Sequence, residues 1–211
     1  MARSVELEPA PRRRRRREDS EQEILEAAER LLRERPFRDL TVDDLMAATT
    51  QSRTAFYRHF TGRQDLLIRL LSALNQQLWA VSESWFQGGN DPLAEAREAL
   101  EKMVGVYQTH GPVLLAMAEA AHHDDEVERV YNALVQGFAD GVVARLERDA
   151  AAGRASVPNP AEVAAALVWM TERQLAVTFG RRDTTAAERT AAVEALYTIW
   201  TRTLYGSDPD A

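Results

Sequence analysis

A chain of 211 residues accommodates one large domain, or a small domain followed by a medium one. With 45% apolar residues it can build a true core, and the absence of cysteine excludes disulfides, thiol catalysis and Cys-ligated metal and suits a cytoplasmic protein. The net charge of -7 is uneven: residues 1–69 carry about +2 and the remainder about -9, and the longest apolar run, Val163 to Met170, is too short to span a bilayer.

Read in order, the chain opens on an arginine run, Arg12 to Arg17. Six like charges repel one another and resist packing, so residues 1–18 are expected to form a disordered arm. Such an arm is either a solubilising tail or a strand that touches phosphate or enters a minor groove. No apolar stretch follows it, which excludes a secretory signal.

Helix punctuation then repeats. Ser20 with Glu23 reads as a capping box, and Ile24, Ala27, Ala28, Leu31 and Leu32 follow at helical spacing until Pro36. Thr41 with Asp44 starts a second, short helix, and Ser52 caps a third that ends near His59. A long fourth helix carries the stripe Leu67, Leu70, Leu71, Leu74, Leu78, Val81 and Trp85, and Gly88-Gly89 stops it. Asp91-Pro92 opens a fifth helix to about Thr109, and Gly111-Pro112 a short sixth. Asp125 with Glu128, Asn159-Pro160, and Thr185 with Glu188 open a seventh, eighth and ninth. No useful length alternates as a strand would. The predicted fold class is all-α, with about nine helices. The expected divisions are a helix-turn-helix domain at 19–62, a larger helical domain at 63–206 and a disordered tail at 207–211.

Residues 41–66 carry the functional signal. Two short helices joined by a tight turn, the second polar and basic, match a helix-turn-helix. Its second helix must enter the major groove and present side chains to base edges and phosphates. Leu45, Ala48 and Phe56 can pack the pair, leaving Ser52, Arg53, Thr54, Tyr57 and His59 to face outward. Arg53 stands at the helix N-terminus, where base contacts concentrate, and Arg suits guanine.

The run Ala55-Phe56-Tyr57-Arg58-His59-Phe60, followed by Arg63 and Leu66, resembles the end of the TetR-family helix-turn-helix. Met170-Thr171-Glu172-Arg173, Ile199-Trp200 and Leu204-Tyr205-Gly206 are similar to the mycobacterial ethionamide-resistance repressor branch of that family. The resemblance implies a cytoplasmic repressor that binds double-stranded operator DNA through Thr41, Ser52, Arg53, Thr54, Tyr57, His59 and Arg63. It also implies a tunnel for a small, mostly apolar ligand, lined by Met103, Tyr107, Val135, Phe138, Trp169, Thr171 and Trp200. Ordinary core packing is the competing reading of each of those aromatics. Thr50 departs from the family's glycine at the turn; a β-branched residue there would be strained in a left-handed conformation. Gln51 replaces an apolar residue.

The Ala-rich eighth and ninth helices suit close contact, so a homodimer through an isologous four-helix bundle is expected. No cofactor, metal or membrane partner is expected. His122-His123-Asp124-Asp125, with Glu119 a turn earlier, reads as a surface loop ahead of a metal site. Glu172 with Arg173 reads as a structural ion pair. No phosphate loop or nucleophile motif supports an enzyme. Two alternatives stand beside the ligand-responsive repressor: a ligand-independent DNA-binding regulator, and a helical carrier or enzyme for an acyl compound.

Overall fold

The structure is a computed structural model and describes residues 11–206, with side chains from residue 16 onward. Residues 1–10 of the expected arm and the expected tail at 207–211 lie outside it. Every long element is helical: α1 (Pro11–Glu34), α2 (Val42–Ala47), α3 (Arg53–His59), α4 (Arg63–Gln87), α5 (Pro92–Ala120), α6 (Asp125–Ala151), α7 (Pro160–Phe179) and α8 (Ala186–Tyr205), with one 3-10 turn at Phe37–Asp39. The chain forms two compact units that divide between Leu66 and Leu67, within α4.

In the first unit, Ile24, Ala27, Ala28 and Leu32 of α1 are buried, as are Phe37, Leu40, Leu45, Phe56 and Phe60. The rings of Phe56 and Phe60 lie 5.3 Å apart. Two expectations fail at its start. The helix begins at Pro11, so the arginine run belongs to α1. Arginine is a good helix former, and a first-turn proline gives up no hydrogen bond. Ser20 therefore sits within the helix and caps nothing. Its hydroxyl donates to Gln51 (2.9 Å), while Glu23 accepts from the backbone N–H of Thr50 (2.6 Å), the Thr50 hydroxyl and the Gln51 amide. These bonds hold Glu23 below the usual carboxylate range, with the Thr50 backbone bond the largest cause.

They also resolve the turn. Among the described residues, the non-glycine with positive φ is Asn159, so Thr50 is not left-handed. The α2–α3 turn takes another path, and α1 satisfies its polar groups. Arg30 adds a bond to the Ala48 carbonyl at the end of α2 (3.1 Å).

In the second unit, α5 packs against α6, α7 and α8, and α6 packs against α7. The expected fifth and sixth helices are one, because α5 passes through Pro112 without a break. Packing overrides the local signal here. A Cβ on Gly111 would stand 2.4 Å from the Phe179 carbonyl oxygen, so only glycine lets α5 and α7 approach this closely. Gly88 ends α4 at φ 77. Asp124, one residue before the expected cap, accepts the N–H groups of Glu126 and Val127 at the start of α6. Asn159 precedes α7 at φ 49 without capping it through its side chain.

Under the end of α4 lies a buried ionic network. Arg145 and Asp149 are fully buried. Arg145 donates to Asp149 (2.7 Å), to Glu95 (3.2 Å) and to the Trp85 carbonyl, and its guanidinium lies over the Trp85 ring. Asp149 also accepts from Arg154 (2.7 Å) and Tyr205 (3.1 Å). Arg148 donates to the Phe86 carbonyl. Two α6 arginines thus satisfy the last carbonyls of α4 and meet the negative end of its dipole.

Candidate DNA interface and ligand cavity

The α2–α3 pair is built for presentation. Thr41 and Asp44 form a full capping box, and hydrogen bonds from the Thr41 hydroxyl and backbone, with Arg35 beside them, lower the Asp44 pKa to about 2. Ser52 caps α3 by accepting the Ala55 N–H (3.2 Å). Ala55 and Phe56 are buried, which fixes the rotation of α3 and turns Arg53, Thr54, Tyr57 and Arg58 to solvent. Tyr57 is 52% exposed. Arg53 pairs with Asp43 of α2, and its other terminal nitrogen lies 3.5 Å from the Tyr57 hydroxyl. The Arg53 guanidinium is thereby held over the Tyr57 ring, 5.7 Å from its centre.

Two members of the expected DNA-contacting set are placed differently. The His59 side chain is 1% exposed, with Nε2 3.2 Å from the Ser20 hydroxyl and Nδ1 3.7 Å from Glu21. Burial lowers its pKa, aided by Arg17 and Arg58 and opposed by Glu21. It is a packing residue between α3 and α1, because the helical turn that exposes Arg58 rotates the next side chain inward. Arg63 is also engaged internally. It donates to the carbonyls of Phe37 (3.2 Å) and Leu40 and covers the Phe37 ring. It ties the start of α4 to the 3-10 turn.

The second unit holds a cavity of about 90 Å³, several times the room one water needs. Met103, Tyr107, Val135, Phe138, Thr171 and Trp200 of the expected set line it. Trp169 does not. It is 40% exposed and packs edge-on against Tyr131. One residue is about 100° of helix rotation, so Val168 takes the wall instead. Helix α4 adds Leu78, Ser82, Trp85 and Phe86, which lie outside the expected set although Leu78 and Trp85 belong to its apolar stripe.

Glu172 also departs from its expected place. The carboxylate lines the cavity, is 7% exposed and lies within hydrogen-bonding geometry of no partner, whereas Arg173 is exposed. The two do not form the expected ion pair. Burial raises the Glu172 pKa, against smaller opposing effects of the nearby Tyr131 hydroxyl and of Arg173. Of the other polar wall groups, the Trp85 indole N–H is likewise buried without a partner in hydrogen-bonding geometry, and others are satisfied within the protein. The Trp200 indole N–H donates to Thr171 (2.8 Å), and Ser82 donates to the Leu78 carbonyl (3.0 Å).

The histidine-rich loop has structural duties. His122 lies 2.7 Å from the Ala118 carbonyl, Asp124 caps α6, and Glu119 pairs with Arg181. The described residues contain no cluster of three metal-ligating side chains, and no helix among them is long and apolar enough to cross a membrane.

Residues 24–70 match the family of bacterial regulatory proteins of the TetR type, and residues 96–206 match the C-terminal domain of the transcriptional regulator EthR. The chain is 28% identical to the HTH-type transcriptional regulator EthR of Mycobacterium tuberculosis, over 92% of this chain and 91% of that protein. The Mycolicibacterium smegmatis EthR is likewise 28% identical, over 93% and 91%. Among solved structures, Salmonella enterica GusR superposes with a TM-score of 0.73 at 16% identity, covering 88% of this chain and 95% of that one. PfmR of Thermus thermophilus gives 0.70 at 22%, covering 83% and 96%. The recognition-helix surface and the helical second unit thus coincide with the two matched regions, and the chain belongs to the TetR family of helix-turn-helix transcriptional regulators, with a C-terminal domain of the EthR type; it is a regulator and not an enzyme.

Proposed function

We propose that this regulator is a dimeric repressor that holds operator DNA through α3 and releases it when a small apolar ligand fills the cavity of the second unit. The observation that carries the DNA reading is the exposed ridge Arg53, Thr54 and Tyr57, set on a helix whose opposite face is locked by Ala55 and Phe56. Ser52 and Thr41 cap the two helices and place their N-termini, where backbone N–H groups favour phosphate. Arg17, at the end of the arginine run, reaches the Arg58 carbonyl at the end of α3 (3.5 Å), which favours a role for the basic segment beside DNA over a remote tail.

Dimerisation is supported by the outward faces of α7 and α8. Trp169, Val177 and Ile199 are large, apolar and exposed, and Ala166, Ala191 and Ala195 are exposed beside them in the chain pattern. A symmetric pair of recognition helices would reach successive major grooves about 34–36 Å apart. Sedimentation at micromolar concentration should give a dimer, and Trp169→Glu with Val177→Glu should give a monomer with weakened operator binding. A monomeric wild type would remove this architecture.

The ligand reading rests on the cavity remaining open, since Trp169 points elsewhere and leaves it unfilled. Helix α4 runs unbroken from Arg63 to Gln87, and its later turns line the cavity. A ligand that bears on Leu78, Trp85 and Phe86 would act on that helix. It can shift the DNA-binding equilibrium only by its differential affinity for two states. Fluorescence anisotropy on the chain's own upstream region, with and without cavity ligands, tests the whole reading. A ligand-independent regulator is the outcome if ligands bind and DNA affinity does not move.

Asp43 gives a finer test. It neutralises Arg53 on the proposed DNA face. Asp43→Asn should raise affinity for random duplex several-fold at low salt and narrow the preference for the operator, because Arg53 is freed and one repulsive charge is lost. Equal affinities for wild type and variant would detach Asp43 from recognition.

A further inference from the structure

We propose that the effector of the cavity carries a protonated amine on an apolar body, and that Glu172 is the group that receives it. This rests on the cavity being the sensor site proposed above. It begins from an imbalance in the wall. Thr171, Ser82 and the Trp200 indole have partners inside the protein, whereas both oxygens of Glu172 and the Trp85 indole N–H have none in hydrogen-bonding geometry, and of these only Glu172 can carry a charge. A carboxyl that is 93% removed from solvent and left without a cation is costly to hold ionised in a folded domain unless something answers it. The chain answers it only in part: the Tyr131 hydroxyl stands near enough to favour the ionised form, while Arg173, the adjacent cation, is exposed.

The groups that surround Glu172 narrow the ligand class. The ionisable ones are Tyr107 of α5, Tyr131 of α6 and Arg173 on its own helix. Both tyrosines are held neutral by burial first and by Glu172 second, so they supply no charge. Burial raises the Glu172 pKa and so works against the ionised form while the cavity is empty. An alcohol or ester would meet this acid with a single neutral hydrogen bond. A fatty carboxylate would meet a second carboxyl in an apolar space, where like charges disfavour each other. An ammonium group meets the ionised form with charge-assisted bonds to both oxygens, the strongest pairing available to it. The rest of the wall agrees, because Trp85, Phe86, Phe138 and Trp200 place aromatic rings around the same space. Rings with one carboxylate suit an organic cation, since the ring faces attract positive charge and the apolar walls hold its chain.

The test uses the full-length protein and three probes of equal length: n-octylamine, 1-octanol and octanoate. Isothermal calorimetry at pH 7 should give octylamine at least tenfold tighter binding than either of the others. Glu172→Gln should bring octylamine to within about threefold of octanol, and retained octanol binding by the variant shows that its cavity is formed. Should that variant not fold, the order of the three probes on the wild type decides by itself. If octanol or octanoate binds wild type as tightly as octylamine, the amine assignment is overturned and the cavity reading survives. If none of the three binds, both fall.

Discussion

Asp149→Ala is expected to destabilise the second unit by about 3–5 kcal/mol, because it leaves the fully buried Arg145 guanidinium without its main counter-charge. In a protein of this size, that lowers the melting temperature by roughly 6–20 °C. Glu95 remains within 3.2 Å of Arg145 and holds the loss toward the lower end. Arg145→Met combined with Asp149→Leu should lie closer to wild type than Asp149→Ala alone, since apolar replacement removes both desolvation costs together. The same carboxylate makes stability depend on acid. Burial works to raise the Asp149 pKa, but the bonds from Arg154 and Arg145 outweigh it and the net shift is downward. A depressed folded-state pKa contributes stability that is present above the ordinary aspartate range and is lost as pH falls through the folded value. Urea titrations at pH 7 and in the acid range check both statements. An Asp149→Ala variant within about 1 kcal/mol of wild type would show the network to be dispensable.

Arg53→Ala is expected to cost about 1–3 kcal/mol of operator affinity, roughly five- to 150-fold, and to relax preference at the base pair it reads. The argument is positional. Arg53 is the first residue of α3, exposed, and braced by Asp43 and Tyr57, so little side-chain freedom remains to be lost on binding. Tyr57→Phe removes only a hydroxyl and should weaken all duplexes alike by a smaller factor. His59→Ala should instead lower stability, since that ring is buried against α1. Competition binding with operator and scrambled duplexes separates these outcomes. A uniform loss for Arg53→Ala across all sequences would reassign it from base to phosphate.

The helix boundaries that were legible in the sequence are those whose partners are local. Thr41 with Asp44 and Thr185 with Glu188 form the capping boxes that their spacing predicts, because both partners lie within one turn. Ser20 with Glu23 has the same spacing but spends its oxygens on Gln51 and Thr50, partners that only the tertiary fold brings near. Pro112 reads as a break for a similar reason. What keeps α5 continuous is the close approach of Gly111 to Phe179, 68 positions away in sequence. In the candidate cavity, Trp169 stands one step of helix rotation away from the wall that Val168 lines, a step that periodicity resolves poorly in an apolar helix. Glu172 was misjudged because its sequence neighbour is a cation, and adjacency along a helix is not adjacency in space.

The four tryptophans divide the molecule optically. Trp85 and Trp200 stand edge to face, 5.7 Å apart, on the wall of the cavity, and Trp79 stacks on Phe138. Trp169 is the exposed one. Emission from Trp85 and Trp200 therefore reports on what enters the cavity, while the fraction quenched by acrylamide reports on whether a second copy covers α7. With Trp169→Phe as the reference, unlabelled protein in a cuvette separates ligand entry from subunit association in one titration.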